Sequence, residues 1–340
     1  MMILSCKYGH FRISSELIGN LLQKMYIRYI TLSIAFLACQ FLTSCNNTDV
    51  LPREDIQIKK TEYLTKNVVL VVIDGPRFTE TWGDINKKYI PKFTEHLAPK
   101  GIVYNNFING GTTNTNSGHA AITTGFYQDV NNTGEEYPTY PSIFQVYLNQ
   151  TKNSPDKAFV ITGKSKLNVL TDCTDPPWRG KFNPSFDTQD RSDLKTFERA
   201  IEIFNAHQPN LALVHFKGPD KYGHQGNWDK YIQSIQETDS LLLKLWEFLQ
   251  NDTKYKGSTT LIMTNDHGRH SDHVATGFKG HGDGCEGCRH INFFAIGPDF
   301  KQGFVHNQKR GQVDISPTIA ELMGFTMPKA TGNVMIELFQ

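Results

Sequence analysis

The sequence predicts an α/β fold with a mostly parallel central sheet and helices on both of its faces. Apolar, β-branched runs such as VVLVVI at 68–73 are typical of strands that are buried on both sides. Segments with helical periodicity separate these runs, as in folds whose parallel strands are joined by helices. The 340 residues of the chain fit one large domain or two smaller ones.

Four further runs of the same character are predicted as strands. They lie at residues 159–162, 211–216, 259–264 and 291–297. Helices are predicted between them, at residues 141–148, 194–204 and 228–250. Near the C-terminus, Ser316 as the N-cap, Pro317 in the first turn and Gly324 at the end predict one more helix.

The first 45 residues read as a leader. From Met25, a better start than Met1, the chain carries Arg28 and then a short apolar stretch at 30–42, too short for a spanning helix. The stretch ends in Leu-Thr-Ser-Cys45, which resembles the bacterial lipobox, whose cysteine receives a lipid after the preceding peptide is removed. We expect a lipid anchor on Cys45, with the protein on the periplasmic or outer-membrane face of the cell envelope. A plain secretory signal is the alternative.

The rest of the chain reads as a polar tether at 46–65 followed by a single domain at 66–340. With 35 Lys and Arg against 34 Asp and Glu, and 39% hydrophobic residues, disorder and a basic nucleic-acid-binding surface are both excluded. Cys285 and Cys288 form a Cys-x-x-Cys pair, which can form a disulfide or coordinate a metal ion. No strand–Cys-x-x-Cys–helix context supports a thioredoxin-type role.

Acidic and histidine side chains cluster around the predicted strand ends. In open sheets, ligands collect beyond the carboxyl ends of the strands, so these side chains are expected to meet. Carboxylate oxygen and imidazole nitrogen together suit Zn²⁺ or Mn²⁺ better than Ca²⁺. The candidate ligands, enough for two ions, are Asp74, Asp220, His224, Asp266, His267 and one of His281 and His290.

The segment GGTTNTNSGHAAITTGFY at 110–127 carries the candidate nucleophile, Thr115. Thr115 comes just before a run of small residues, 117–124, that can begin a helix. A hydroxyl there faces backbone N–H donors and the positive end of the helix dipole, where a phosphoryl group would be held. Metal coordination would remove the proton of this otherwise poor nucleophile.

These segments together resemble the alkaline phosphatase superfamily, nearest its type I phosphodiesterase/nucleotide pyrophosphatase branch. In chain order the matching motifs are D-G-x-R at 74–77, the nucleophile segment at 115–125, D-x-x-G-H at 220–224, D-H-G at 266–268 and H-G at 281–282. Thr115 occupies the nucleophile position and His119 the histidine position of the second motif. The resemblance spans about residues 68–338, most of the chain after the leader.

The resemblance implies an alkaline-phosphatase-like sandwich that binds two divalent ions, expected to be Zn²⁺ with Mn²⁺ as the alternative. One ion would be bound by Asp74, Thr115, Asp266 and His267, and the other by Asp220, His224 and His281. It also implies that Thr115 attacks phosphorus and forms a covalent phospho-threonine, with the charge of the transition state stabilised electrostatically.

The sequence departs from the family pattern at several positions. T-N-S-G-H replaces T-F-P-N-H around Thr115, and a glycine follows His224 one residue early, at Gly226. The family's substrate-side asparagine has two candidates here, Asn131 and Asn132. The spacing to Gly297-Pro298 favours His281 as the last ligand, with His290 as its competitor and His270 and His273 as more remote ones.

The predicted function is an exported, metal-dependent hydrolase of small phosphodiesters or phosphomonoesters, with specificity set in the stretch 164–193. A sulfatase-like or phosphonate hydrolase of the same superfamily is the near alternative, although no C/S-x-P-x-R string occurs at Thr115. Export and threonine in place of serine disfavour a mutase. A lipoprotein that binds ligands without chemistry would be expected to lack some of the metal ligands, and none is missing.

Overall fold

Nine strands form one sheet in the computed structural model, which describes residues 62–340. The strands are β1 (Asn67–Ile73), β2 (Ile102–Ile108), β3 (Ala158–Thr162), β4 (Ser185–Thr188), β5 (Leu211–Phe216), β6 (Thr259–Thr264), β7 (His290–Ile296), β8 (Phe304–His306) and β9 (Arg310–Gly311). Their order across the sheet is β4-β3-β5-β1-β6-β7-β2-β8, and β9 pairs with β2. The sheet therefore places β1, the first strand in sequence, in its centre.

Seven α-helices accompany the sheet in the described part of the chain. They are α1 (Thr115–Thr124), α2 (Ile143–Thr151), α3 (Asp193–His207), α4 (Gly218–His224), α5 (Trp228–Asn251), α6 (Glu286–Arg289) and α7 (Ile315–Met323). Short 3₁₀ turns and one π-helical segment, Phe93–Leu97, complete the connections. None of the helices within 62–340 is both long and apolar enough to cross a membrane.

The strands are mostly parallel, which confirms the predicted fold class. β1 runs parallel to β5 and β6, and β3 runs parallel to β4 and β5. β7 is the exception, because it is antiparallel to both of its neighbours, β6 and β2. Its first residue, His290, consequently lies at the edge where the parallel strands end. The loop before β7 thereby reaches the same edge as the loops after β1, β5 and β6.

The core lies on both faces of the sheet. Along β1, Val68, Leu70 and Val72 pack into one hydrophobic cluster, and Val69 and Val71 pack into the other. The whole strand is buried, as its continuous apolar sequence predicts. Full burial of each such side chain contributes about 2 kcal/mol to folding. The sheet is thus a rigid base for the loops at its edge.

The predicted C-terminal helix begins two residues earlier than its sequence indicates. α7 starts at Ile315, with Asp314 as its N-cap, so Ser316 is a helical residue and not the cap. A 3₁₀ turn, Gln312–Asp314, leads directly into the helix and takes over the role of a cap. Gly324 ends α7 in the left-handed conformation, φ +75°, as predicted.

The predicted leader, with Met25 and Cys45, and most of the predicted tether lie outside the described residues. The last residues of the tether, 62–65, are described and contact the domain. The backbone N–H groups of Leu64 and Thr65 each donate to the Asp299 carboxylate at 2.8 Å, and Thr65 is buried. The chain is therefore fixed to the domain from this point onwards.

Candidate metal centre and nucleophile

Three strands and the loop before β7 bring the predicted metal ligands to one edge of the sheet. Asp74 follows β1, Asp266 and His267 follow β6, and all three are completely buried. Asp220 and His224 lie on α4, just after β5, and share one helix face because they are four residues apart. The structure thus brings together residues that are nearly two hundred positions apart in sequence.

Asp74, Asp266 and His267 form the first ligand group. The distance from His267 Nε2 is 3.6 Å to Asp74 Oδ1 and 3.4 Å to Asp266 Oδ2. His267 Nδ1 lies 2.9 Å from the Gly268 carbonyl, so its proton sits on Nδ1 and the Nε2 lone pair faces the carboxylates. Burial lowers the pKa of His267 to about 4, which keeps the ring neutral at pH 7.

Asp220, His224 and His281 form the second group. The Nε2 atoms of the two histidines lie 3.0 Å apart, and they lie 3.2 Å and 3.4 Å from Asp220 Oδ1. His281 Nδ1 is 2.8 Å from the Thr113 carbonyl, which fixes its proton on Nδ1 and leaves Nε2 as an acceptor. The ring of His281 also stacks on His267, with centroids 3.7 Å apart, so the two groups are contiguous.

The first group fits a divalent cation well. Within the described chain, Asp74 Oδ1, Asp266 Oδ2 and His267 Nε2 are buried and have no hydrogen-bond partner. Three acceptors that face one another without a donor are unfavourable unless a cation lies between them. Carboxylate and imidazole are suitable donors for Zn²⁺ or Mn²⁺. In the second group, Asp220 also carries hydrogen bonds to two cationic side chains.

Lys164 is one of those two side chains, and the sequence analysis did not include it as a site residue. Its Nζ lies 2.7 Å from Asp74 Oδ2 and 2.6 Å from Asp220 Oδ2, and so bridges the two ligand groups. Burial and Asp220 raise the pKa of Asp74, but Lys164 and His215 outweigh them and hold it well below its ordinary value. Lys164 lies two residues after the end of β3, and a pattern of Asp and His metal ligands does not include a lysine.

Arg269 is the other cationic side chain, and the sequence analysis did not include it because arginine is not a metal ligand. It is completely buried, and its Nη1 donates to Asp220 Oδ1 at 2.6 Å while Nη2 donates to the Lys279 carbonyl at 2.8 Å. A Cβ at Gly223 would lie 2.6 Å from its guanidinium carbon. The glycine of the D-x-x-G-H motif is therefore required by the position of Arg269.

Gly75, the glycine of the D-G-x-R motif, is packed as closely against its neighbours as Gly223 is. Its φ is +61°, and a Cβ there would lie 3.0 Å from both His267 and Arg269. Its backbone N–H donates to Asp266 Oδ1 at 3.1 Å, which holds that carboxylate in place. Both motif glycines thus let the backbone approach the ligand groups closely.

Thr115 is the first residue of α1 and is buried. Its hydroxyl oxygen lies 3.5 Å from Lys164 Nζ, which places it beside the ligand groups. The expectation that free helix N–H groups surround it is wrong for most of the first turn. Asn116 N donates to Asn132 Oδ1 at 3.1 Å, and Ser117 N donates to Asn114 Oδ1 at 2.9 Å.

Two histidines lie behind the ligand groups. His119 Nδ1 is 2.8 Å from the Thr115 carbonyl and 3.4 Å from Asp266 Oδ2. His215, on β5, has its Nε2 3.0 Å from Asp74 Oδ2, and burial lowers its pKa to about 4. His215 lies inside an apolar strand, and a search for polar residues after strands could not find it.

The three histidines considered as alternatives to His281 do not lie at the ligand groups. His290 Nε2 is 2.8 Å from the Asn105 carbonyl, and its ring stacks on Phe78. His273 is exposed, with φ +66°, and His270 lies beside Asp283. Of the four candidates, only His281 contacts Asp220 in the described residues.

The two candidate substrate asparagines have different surroundings. Asn132 lies at the start of α1, where its Oδ1 accepts from Asn116 N and from Lys166 Nζ. Asn131 Oδ1 instead accepts from the backbone and hydroxyl of Thr133, its own turn. The structure therefore places Asn132, but not the side chain of Asn131, against the nucleophile helix.

The fold and the arrangement of the site are those of the alkaline phosphatase superfamily, as the motifs predict. The sulfatase family model matches residues 66–325, and the chain belongs to that family. Members of the superfamily use divalent metals, in agreement with the Asp and His groups described above.

Curated relatives of the chain are distant and longer. GPI ethanolamine phosphate transferase 1 of Mus musculus is 24% identical over 303 residues, covering 77% of this chain and 32% of the relative. The 2,3-bisphosphoglycerate-independent phosphoglycerate mutase of Haloquadratum walsbyi is 28% identical over 161 residues, covering 46% and 30%. The chain thus spans about a third of the length of the curated relatives it matches.

Solved structures share the fold at low sequence identity. An inactive threonine-to-alanine variant of murine ectonucleotide pyrophosphatase/phosphodiesterase 5, in complex with AMP, superposes with a TM-score of 0.59 at 16% identity, over 81% of this chain and all of that chain. The phosphonate monoester hydrolase of Silicibacter pomeroyi gives a TM-score of 0.56 at 14% identity, over 80% and 76%. These similarities show the fold.

Proposed function

We propose that the protein is a metal-dependent phosphoester hydrolase in which Thr115 is the nucleophile. The observation that carries this proposal is the position of the Thr115 hydroxyl. It lies 3.5 Å from Lys164 Nζ, and the same ammonium group contacts Asp74 and Asp220. A hydroxyl at this position meets concentrated positive charge once cations are bound, which favours its ionised, nucleophilic form.

The reaction has two displacements. Thr115 Oγ1 attacks phosphorus, its proton leaves to solvent, and the bond between phosphorus and the leaving oxygen breaks, so the alcohol departs after taking up a proton. Water then attacks the phospho-threonine, the bond between Thr115 and phosphorus breaks, and the hydroxyl is restored. The product is inorganic phosphate from a monoester and a phosphomonoester from a diester.

Two divalent ions, most simply Zn²⁺, complete the site in this proposal. Asp74, Thr115, Asp266 and His267 would bind one of them, and Asp220, His224 and His281 the other. When bound, they would supply positive charge that lowers the pKa of the Thr115 hydroxyl and neutralises phosphoryl oxygens. Lys164 supplies a further positive charge, and its two carboxylate partners orient it.

Asn132 is the proposed contact for a phosphoryl oxygen. Its Oδ1 is already held by Asn116 N and Lys166 Nζ. The orientation is thereby fixed, and no acceptor in the described structure takes up its Nδ2 donor. Because most N–H groups of the first turn of α1 are engaged, side-chain donors such as Asn132 and Lys164 take over their role.

The rest of the substrate has a cavity available next to the loop that carries His281. The cavity measures about 480 Å³, and its lining is mostly polar. One part of the cavity is lined by Thr113, two residues before Thr115, and by Gly282, which follows His281. Another part is lined by Asp129 and Arg289. We place the leaving alcohol there, which implies a polar group rather than a long hydrocarbon.

Phosphoester rather than sulfate-ester chemistry is supported by the residues at the nucleophile. No cysteine or serine in a C/S-x-P-x-R string lies at Thr115. Among the proteins that this chain resembles are a phosphoglycerate mutase, an ethanolamine phosphate transferase and a nucleotide pyrophosphatase. Sulfate esters remain the second candidate because of the family that matches the chain.

A substrate panel tests the proposal directly. The purified protein is assayed with p-nitrophenyl phosphate, bis-p-nitrophenyl phosphate, a phosphonate monoester and p-nitrophenyl sulfate, each with Zn²⁺ or Mn²⁺ and with a chelator. We expect metal-dependent hydrolysis of a phosphate ester, a loss of about 10³-fold or more in Thr115→Ala, and partial retention in Thr115→Ser. Preference for the sulfate, or full activity of Thr115→Ala, would contradict it.

We also propose that the protein is exported and carries a lipid on Cys45. The support is the sequence alone, a short apolar stretch that ends in Leu-Thr-Ser-Cys45. Expression in a bacterium with radiolabelled palmitate tests it. The wild type should take up label and sediment with membranes, whereas Cys45→Ala should do neither. Equal sedimentation of both proteins would contradict the anchor.

A further inference from the structure

A further cluster of metal-ligating side chains, distinct from the two ligand groups described above, lies on the loop between β6 and β7. It consists of His270, Asp283, Cys285 and Cys288, whose ligand atoms all lie within 4.8 Å of one another. We propose that this cluster is a structural zinc site, separate from the Asp and His groups of the proposed active site. The two sites have no ligand in common.

His270 has the geometry of a metal ligand. Its Nδ1 is 3.1 Å from the Thr276 hydroxyl, a contact that orients the ring. The side chain is only 8% exposed, and Nε2 has no hydrogen-bond partner within the described residues. Metal-bound histidines are oriented in this way, with the second ring nitrogen held by a neighbouring group.

The cysteine pair supplies two sulfur donors at the spacing found in zinc sites, Cys-x₂-Cys. The two Sγ atoms are 3.2 Å apart, and Cys288 Sγ lies 3.6 Å from Asp283 Oδ1. On binding zinc, both thiols would release their protons to solvent.

Asp283 completes the set as the fourth ligand. Its Oδ2 is 3.2 Å from His270 Nε2, and one ligand atom from each of the four residues lies within 4.8 Å of the others. Four protein ligands make a closed, tetrahedral site, which is typical of structural rather than catalytic zinc. Arg289, whose Nε donates to the Gly284 carbonyl at 2.7 Å, provides a nearby positive charge for this anionic ligand set.

The position of the cluster explains what the ion would do. His270 and Cys288 lie at the two ends of the segment 271–287, and His281 lies within that segment. Most residues of the segment are exposed or half-buried, and its regular structure is one 3₁₀ turn and the start of α6. A zinc ion that joins both ends would hold the loop, and with it His281, against the sheet.

Cobalt substitution of the purified chain tests the proposal, because only thiolate ligation gives a sulfur-to-cobalt charge-transfer band. The wild type should show this band, and Cys285→Ser/Cys288→Ser and His270→Gln should lose or shift it. Cys173→Ser is the matched control, since Cys173 is a buried cysteine outside the cluster. Asp74→Asn should retain the band, which separates this site from the proposed active site.

Zinc content and thiol state give the second readout. The double cysteine variant should contain one zinc ion fewer per chain than wild type, and chelation should lower the melting temperature of wild type more than that of the variant. Absence of the charge-transfer band in folded, cobalt-loaded wild type would overturn the proposal. A Cys285–Cys288 disulfide in protein isolated without reductant would overturn it as well.

Discussion

Carboxylates lie in two regions of the molecule, half-buried near the C-terminus and fully buried at the candidate metal centre, and their hydrogen bonding is opposite. Near the C-terminus, Glu337 receives two hydrogen bonds of 2.7 Å from Arg310 and one of 2.5 Å from the Tyr104 hydroxyl. At the candidate metal centre, Asp74 and Asp266 each keep one buried oxygen without a partner in the described chain. The first carboxylate is fully satisfied, and the other two are not.

The difference separates residues that stabilise the fold from residues that serve the site. A satisfied ion pair contributes to stability, whereas buried acceptors without donors are costly until a ligand fills the space between them. The pKa values follow the same logic: burial raises the pKa of Glu337, but Arg310 and Tyr104 outweigh it and lower it to about 2. Substitutions in the two regions should therefore have opposite consequences.

The largest effect is expected for Asp266→Asn. Asn keeps an oxygen for the N–H groups of Gly75 and His267, and it places an amide donor toward His267 Nε2, 3.4 Å from the present Oδ2. Activity should fall about 10³-fold or more as metal is lost, while the metal-free protein should gain about 1 kcal/mol in stability. Metal analysis and urea unfolding in chelator measure both. Unchanged metal content and lower stability would contradict the interpretation.

Lys164→Met should have the next largest effect. It removes the positive charge nearest Thr115 but leaves all proposed metal ligands in place. We expect kcat to fall about 10²-fold with the metal content unchanged. Lys217→Met is the control, because the Lys217 ammonium group contacts Asp190 and none of the proposed site residues. Equal losses in both variants would indicate a general electrostatic effect instead.

Glu337→Gln should lower stability by about 1–3 kcal/mol and leave activity unchanged. The folded pKa of about 2 lies below the ordinary value near 4.3. The stabilisation is therefore fully present above about pH 4.3 and is lost as the pH falls toward 2. Unfolding of wild type and variant between pH 7 and pH 2 should show two curves that converge at low pH. Curves that stay parallel throughout would contradict this assignment.

The smallest effect is expected for Asp129→Asn in the proposed substrate cavity. Asp129 contacts the Thr112 hydroxyl and lines the cavity, but it touches none of the proposed metal ligands. KM should change a few-fold, by about 1 kcal/mol, and kcat should stay constant. Steady-state kinetics with the best substrate of the panel measure this. An equal fall in kcat would place Asp129 in the chemical step instead.

The sequence predicts the central strands and the clustering of most candidate ligands because both follow simple physical rules. A continuous apolar run can only be a buried strand or helix, and ligands collect at the carboxyl ends of parallel strands. β2 escaped prediction because Asn105 and Asn106 interrupt its apolar pattern, at a point where the pairing with β7 shifts register. The short edge strands β8 and β9 carry no comparable signal.

Other parts of the site required three-dimensional information. Spacing cannot reveal that His270 turns toward the cysteine pair while His281 turns toward Asp220, because the connecting segment has little regular structure. The bridging position of Lys164 depends on the sheet order that places β3 beside β5 and β5 beside β1. Non-local arrangements of this kind leave no periodic trace in the chain.

The reversed direction of β7 makes the segment between β6 and β7 a part of the chain that can be varied. Because β6 and β7 run antiparallel, the segment between them leaves the sheet and returns to it at one rim. Such a hairpin-like excursion can change in length or composition without shifting the strands that it joins. Grafting this segment from related proteins, with His281 and the ligands of the proposed zinc site retained, is therefore a practical route to altered selectivity.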